Sequence, residues 1–148
     1  MILPCQIVSL GISISMAQEG YKSNHNVVYS SKYHCVWTPK YRRAVLVGRV
    51  AKRCEQVLRE VADKYRAEIM ALEIMPDHLH VLVEVDPQLG IHRLVKHLKG
   101  VSSHILRQEF RTLKSRLPTL WTNSYFVSTV GGAPLAVIQP YVEKQKNV

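Results

Sequence analysis

Cysteine is scarce in this chain. Cys5, Cys35 and Cys54 are the only three among 148 residues, with no CxxC pair and no spacing that suggests a zinc site. That excludes a disulfide framework and points to a reducing compartment, the cytoplasm. Acidic side chains are few as well: 11 Asp and Glu stand against 20 Lys and Arg, a formal charge of +9. The imbalance favours a polyanionic partner, nucleic acid foremost, over a merely soluble basic surface. Long apolar runs are missing too. The apolar opening from Met1 to Met16 is too short to span a bilayer and has no basic residue ahead of it, so no membrane association is expected. It reads as a disordered leader, with Met16 as an alternative start. There is no repeat, no low-complexity tract and no sign of a second domain. The expected organisation is a leader over 1–26 and one domain over 27–148, long enough to bury its own core.

What is there alternates between strand and helix periodicity. Val27 to Thr38 is rich in β-branched and aromatic residues and reads as a strand, running into the basic loop Pro39-Lys40-Tyr41-Arg42-Arg43. From Gly48 to Tyr65, the residues Val50, Cys54, Val57, Leu58, Val61 and Tyr65 recur at helical spacing. Glu68 to Met75 alternates, with Met70, Leu72 and Ile74 on one face. Pro76-Asp77 then supplies a tight turn into a second strand. Ile91 to Phe110 is a second amphipathic helix with the stripe Ile91, Leu94, Val95, Leu98, Val101 and Ile105; its other side carries Arg93, Lys96, Lys99 and Arg107. Ser124 to Val130 reads as a strand, followed by the flexible joint Gly131-Gly132 and a last helix. This order fits an α+β fold of the ferredoxin-like (RRM-like) type, an antiparallel sheet with helices on one face, plus a C-terminal helix.

The strand after Pro76-Asp77 carries the sharpest signal. In His78-Leu79-His80-Val81-Leu82-Val83-Glu84-Val85, parity puts Leu79, Val81, Val83 and Val85 on one face and His78, His80, Leu82 and Glu84 on the other. Two imidazoles side by side, away from the apolar face, make a divalent-metal grip or half of an acid/base pair. A metal would need a further ligand, from Glu84 or from the C-terminal segment. In that segment Tyr141 and Gln145 are four apart, so on a helix they share a face. A tyrosine can act as a covalent nucleophile, although packing is the commoner role for a lone one. Pro140 directly precedes it, so a helix running from Pro134 through Gln145 should kink or restart there.

His78-Leu79-His80 within MPDHLHVLVEV, together with YHCVWTPKYRR, HLKGVSS, LWTNSYFVSTVGG and the terminal YVEKQ, resembles the single-tyrosine HUH transposases of minimal bacterial and archaeal insertion sequences. The resemblance runs over about residues 27 to 146. It implies a ferredoxin-like domain, a homodimer in a prokaryotic cytoplasm, and cleavage and rejoining of single-stranded DNA at ends found through short DNA hairpins. It implies that His78, His80 and Gln145 ligate Mg²⁺ or Mn²⁺, with no nucleotide cofactor. Tyr141 would be the nucleophile, forming a 5′-phosphotyrosine bond and releasing a 3′-hydroxyl. Lys40, Tyr41, Arg42 and Arg43 are the first choice for contacting DNA, by charge and by stacking; Lys96, Lys99 and Arg107 come second.

Three rivals are weaker. A non-catalytic binder of single-stranded nucleic acid on an RRM-like fold would want aromatics where His78 and His80 stand. A metallohydrolase or two-histidine phosphoesterase needs partner motifs that His25, His34, His92, His97 and His104 do not supply. A related HUH nickase or replication initiator shares the chemistry but is usually longer, with a second tyrosine or a helicase domain.

Overall fold

A computed structural model describes residues 21–130. A small hairpin, β1 (Lys22–Ser23) and β2 (Val28–Tyr29), is followed by β3 (Lys32–Trp37) and a single 3-10 turn at Lys40–Arg42. Then come α1 (Gly48–Lys64), β4 (Glu68–Met75), β5 (His78–Glu84), α2 (Ile91–Glu109), the short α3 (Arg111–Arg116) and β6 (Phe126–Thr129). The main sheet is antiparallel throughout, in the order β4-β5-β3-β6. Two strand-helix-strand units thus interleave, β3-α1-β4 with β5-α2-β6, which is the expected ferredoxin-like plan.

One face of the sheet is the core. Cys35 and Trp37 of β3 and Leu79, Val81 and Val83 of β5 are buried there, against Cys54, Val57, Leu58 and Val61 of α1 and Leu94, Val95, Leu98 and Leu106 of α2. The period of two in the strands and of 3.6 in the helices brings these positions together, and water leaves both stripes at once. Two turn positions hold the helices in place. Gly90, with φ of 85°, adopts a left-handed conformation before α2 that an L side chain would strain. Beyond the end of α1, Arg66 takes a φ of 57°, and the Ala67 N–H bonds the Ala62 carbonyl at 2.9 Å.

The structure differs from the sequence reading in four places. The long strand over 27–38 is two strands broken at Ser30-Ser31. Of the stretch 1–26, only residues 21–26 are described, and Lys22–Ser23 there pair with β2. The face of β4 switches at a register shift between Ile69 and Ala71, so Met70 joins Leu82 on the second face while Ile69 packs with the core; an extra residue in a bulge reverses the parity beyond it. The helix α3 was not foreseen. Six residues give too short a stretch for periodicity to register. The joint Gly131-Gly132 and the last helix with Pro140, Tyr141 and Gln145 lie outside the described residues.

Candidate metal and DNA site

The second face of the sheet, away from α1 and α2, is where the histidines stand. Because β5 alternates, Leu79, Val81 and Val83 enter the core while His78, His80, Leu82 and Glu84 go to the other side. That face is not the open surface that the strand pattern alone suggests: His80 is 2% exposed and the His78 side chain 12%. The rings of His78 and His80 are 5.0 Å apart and nearly perpendicular.

Each imidazole has a neighbour at its Nδ1. His78 Nδ1 lies 2.7 Å from Asp77 Oδ1, while Arg42 reaches Asp77 Oδ2 at 3.1 Å. The hydrogen bond from His78, with the guanidinium charge adding to it, holds the Asp77 carboxyl below the usual carboxylate range. An ionised carboxylate only accepts, so the proton in that contact sits on His78 Nδ1. His78 Nε2 is covered and has no hydrogen-bond partner among the described residues. On the other side, His80 Nδ1 is 3.2 Å from His34 Nε2, with the two rings stacked at 5.4 Å. His34 comes from the central strand β3, and burial lowers its pKa, favouring the neutral ring. Glu73 lies directly across from His80 in the β4–β5 ladder, a position that places side chains on one face about 5 Å apart at Cβ.

This donor set fits a divalent cation only in part. A buried imidazole nitrogen without a partner, on a histidine held by a carboxylate, is the usual arrangement of a metal ligand. Among the described residues, however, no three His, Cys, Asp or Glu form a group able to hold a metal. His78 and His80 would be two ligands of a set completed elsewhere. Glu84 does not complete it. Four residues beyond His80, it is about 13 Å further along the strand, and its carboxylate is taken by Lys32 at 3.5 Å and by the Ser31 amide at 3.2 Å.

The basic residues divide into two groups. Tyr41, 64% exposed, and Arg42 both take left-handed φ angles in the turn after β3, and the Lys40 ammonium lies 5.5 Å from the Tyr41 ring. Arg43 beside them is exposed, whereas Arg42 is committed to Asp77. On the helix side, Lys96 and Lys99 line a cleft of about 340 Å³ with His92, Trp121 and Tyr125. Lys99 is spent structurally, donating to the carbonyls of Thr122, Asn123 and Ser124 at 2.6, 3.3 and 3.1 Å, and burial lowers its pKa. Arg107 donates to the Leu117 carbonyl at 3.3 Å. Of these Lys96 is exposed, whereas Lys99 and Arg107 are half-buried. His34, Asp77 and Glu73 were not singled out as site residues from the sequence. His34 has the right parity within β3, but only the pairing of β3 with β5 reveals what it faces.

The family pattern described as "Transposase IS200 like" matches residues 27–145. The ISDra2 transposase TnpA of Deinococcus radiodurans is 40% identical over 128 residues, 85% of this chain and 91% of that protein. The transposase for insertion sequence element IS200 of Salmonella typhimurium is 33% identical over 126 residues, covering 84% and 82%. Among solved structures, a candidate transposase from Deinococcus radiodurans superposes with a TM-score of 0.68 at 40% identity, over 84% of this chain and 97% of that one. The REP-associated tyrosine transposase, solved bound to a REP hairpin, shares the fold with a TM-score of 0.58 at 12% identity, over 82% and 68%. By the extent of the pattern and the identity of these relatives, the chain belongs to the IS200-like transposases, a family of DNA strand-transfer enzymes.

Proposed function

We propose that this chain, as a homodimer with its working domain over 27–148, cleaves and rejoins single-stranded DNA at insertion-sequence ends that it finds as DNA hairpins. The observation that carries the reading is the pair His78 and His80 on the sheet face away from the helices, with His78 Nε2 covered, unpartnered among the described residues, and backed by Asp77. One relative of the same fold was solved with a DNA hairpin, which supports the partner.

In this reading His78, His80 and Gln145 hold Mg²⁺ or Mn²⁺. When bound, the ion supplies charge stabilisation to the phosphoryl group in transfer. Tyr141 Oη attacks the phosphorus of one phosphodiester; the P–O3′ bond breaks, the phenolic proton is given up to solvent, and the leaving oxygen takes a proton from solvent and departs as a 3′-hydroxyl. The 5′-phosphate stays on the tyrosine, so its ester energy is kept for a later 3′-hydroxyl to displace Tyr141 and reseal a strand without ATP. Helical spacing between Tyr141 and Gln145 ties nucleophile and ligand to one element. Arg43 and Tyr41, with Lys40, would meet the DNA beside the histidines, Arg42 bridging from that turn to Asp77. Lys96, with Lys99 and Arg107 in support, would meet it on the helix side.

The test is a labelled hairpin-bearing oligonucleotide incubated with the full chain and Mg²⁺. A covalent protein–DNA adduct is expected, and Tyr141→Phe abolishes it. Equal adduct in that variant would overturn the nucleophile assignment, and binding without any adduct in the unaltered protein would favour the non-catalytic binder.

A further inference from the structure

His78 and His80 share more than a strand: each has a second residue at its Nδ1, supplied from a different part of the fold. Asp77 stands at 2.7 Å from His78 and is itself held by Arg42. His34, fully buried in β3, stands at 3.2 Å from His80. A neutral imidazole carries one N–H and one lone pair, so the group at Nδ1 decides which electrons remain at Nε2. Asp77 meets His78 through one carboxyl oxygen and Arg42 through the other, and a carboxylate oxygen accepts. The His34–His80 contact needs one donor and one acceptor, and geometry alone permits either direction.

We propose that His34 and Asp77 are a matched pair of positioning residues: each accepts the Nδ1–H of its neighbour, so that His80 and His78 both present an unprotonated Nε2 on the same face. His34 is then the Nδ1–H tautomer, accepting through Nε2. The assignment to His80 follows from the use of the site, because the opposite direction would place the His80 proton on Nε2 and remove it as a ligand. The proposal therefore rests on the reading of His78 and His80 as metal ligands. It adds two residues that touch neither metal nor DNA, one of them on the neighbouring strand β3.

The two Nδ1 partners are not equivalent. Asp77 belongs to the turn that starts β5 and is tied by Arg42 to the basic turn after β3, so its grip on His78 is linked to the loop proposed to meet DNA. His34 is locked within the sheet, opposite Leu82 in the ladder and edge-on to Phe126 at 6.2 Å. One ligand is held by a part that a substrate can reach and the other by the buried central strand of the sheet.

Two measurements on the full chain test this. Long-range ¹⁵N–¹H spectra of the metal-free protein report the tautomer of each imidazole without any substitution. Both His78 and His80 are expected to carry the proton on Nδ1; a proton on His80 Nε2 overturns the His34 assignment. Mn²⁺ alone, titrated and followed by electron paramagnetic resonance, should then bind about 10- to 100-fold more weakly to His34→Leu and to Asp77→Ala. His34→Gln and Asp77→Asn, which keep an accepting oxygen, should recover most of that loss. Unaltered affinity in His34→Leu and Asp77→Ala, in folded protein, overturns the proposal. If the unaltered protein fails to bind Mn²⁺ while its tautomers are as stated, the metal reading fails and the hydrogen-bond assignment stands; normal binding with the wrong tautomer has the reverse meaning.

Discussion

Two thiols show how far the interior excludes water. Cys35 in β3 and Cys54 in α1 have no exposed surface, and burial pushes both up to about 12. Only the thiolate reacts with alkylating agents, so at neutral pH both are protected twice, by access and by protonation. Iodoacetamide is expected to leave Cys35 and Cys54 unlabelled in the native protein and to modify them fully in denaturant, read by peptide mass spectrometry. Labelling of either at the rate of an exposed cysteine would show that the β3–α1 packing opens readily. At this scale the sequence was informative wherever a residue's neighbours are local. The parity of His78 to Val85 was readable because a strand has a period of two, and the core positions Leu79, Val81 and Val83 followed from it. His34 was not readable, because its partner is 46 residues away and the register of β3 against β5 is set by the whole sheet.

Among the elements, α2 illustrates how a charged stripe divides into different tasks. Its apolar side packs as the spacing of Leu94, Val95 and Leu98 requires, with Ser102 taking its place in the core by bonding the Leu98 carbonyl at 2.6 Å and accepting the Trp121 indole N–H at 2.9 Å. Its basic side looks uniform in sequence, yet Lys99 caps three carbonyls of the segment leading to β6 while Lys96, three residues earlier, is exposed. Lys99→Ala should cost about 1–3 kcal/mol of stability, since the carbonyls lose their donor, measured by urea denaturation. Lys96→Ala should leave stability within about 0.5 kcal/mol and instead lower the slope of log affinity for DNA against log salt by about 1. A salt slope that falls in Lys99→Ala but not in Lys96→Ala would reverse the two roles. Element boundaries were legible to within a residue or two for α1, β4, β5 and α2, all long and strongly periodic. The bulge at Ile69–Ala71 and the break at Ser30-Ser31 were not, because each is a local departure that only the pairing of strands makes necessary.

Across the whole molecule, the ferredoxin-like order was legible from the alternation of elements, and the family from five short motifs spread along the chain. What the sequence could not convey is that the face opposite the helices is also covered, with His80 and Glu84 both buried and Lys32, at 8% exposure, beside Glu84. No helix among the described residues is long and apolar enough to cross a membrane. In a family of DNA strand-transfer enzymes the positive charge has DNA as its counterpart, and it is carried by the turn after β3 and by α2.

The strand β5 has one consequence for how such a protein changes over generations. Its odd-numbered residues belong to the core and, at its start, His78 and His80 stand on the opposite face, so heritable variation along positions 78 to 81 meets two kinds of selection in alternation. In a library of single substitutions scored separately for cellular abundance and for excision of an element, positions 79, 81 and 83 should lose abundance and positions 78 and 80 should lose excision alone. Loss of abundance at both sets would mean that chemistry and folding are not separable here. If they are separable, a lineage that no longer moves its element could discard the histidines one by one and still inherit an intact DNA-binding protein.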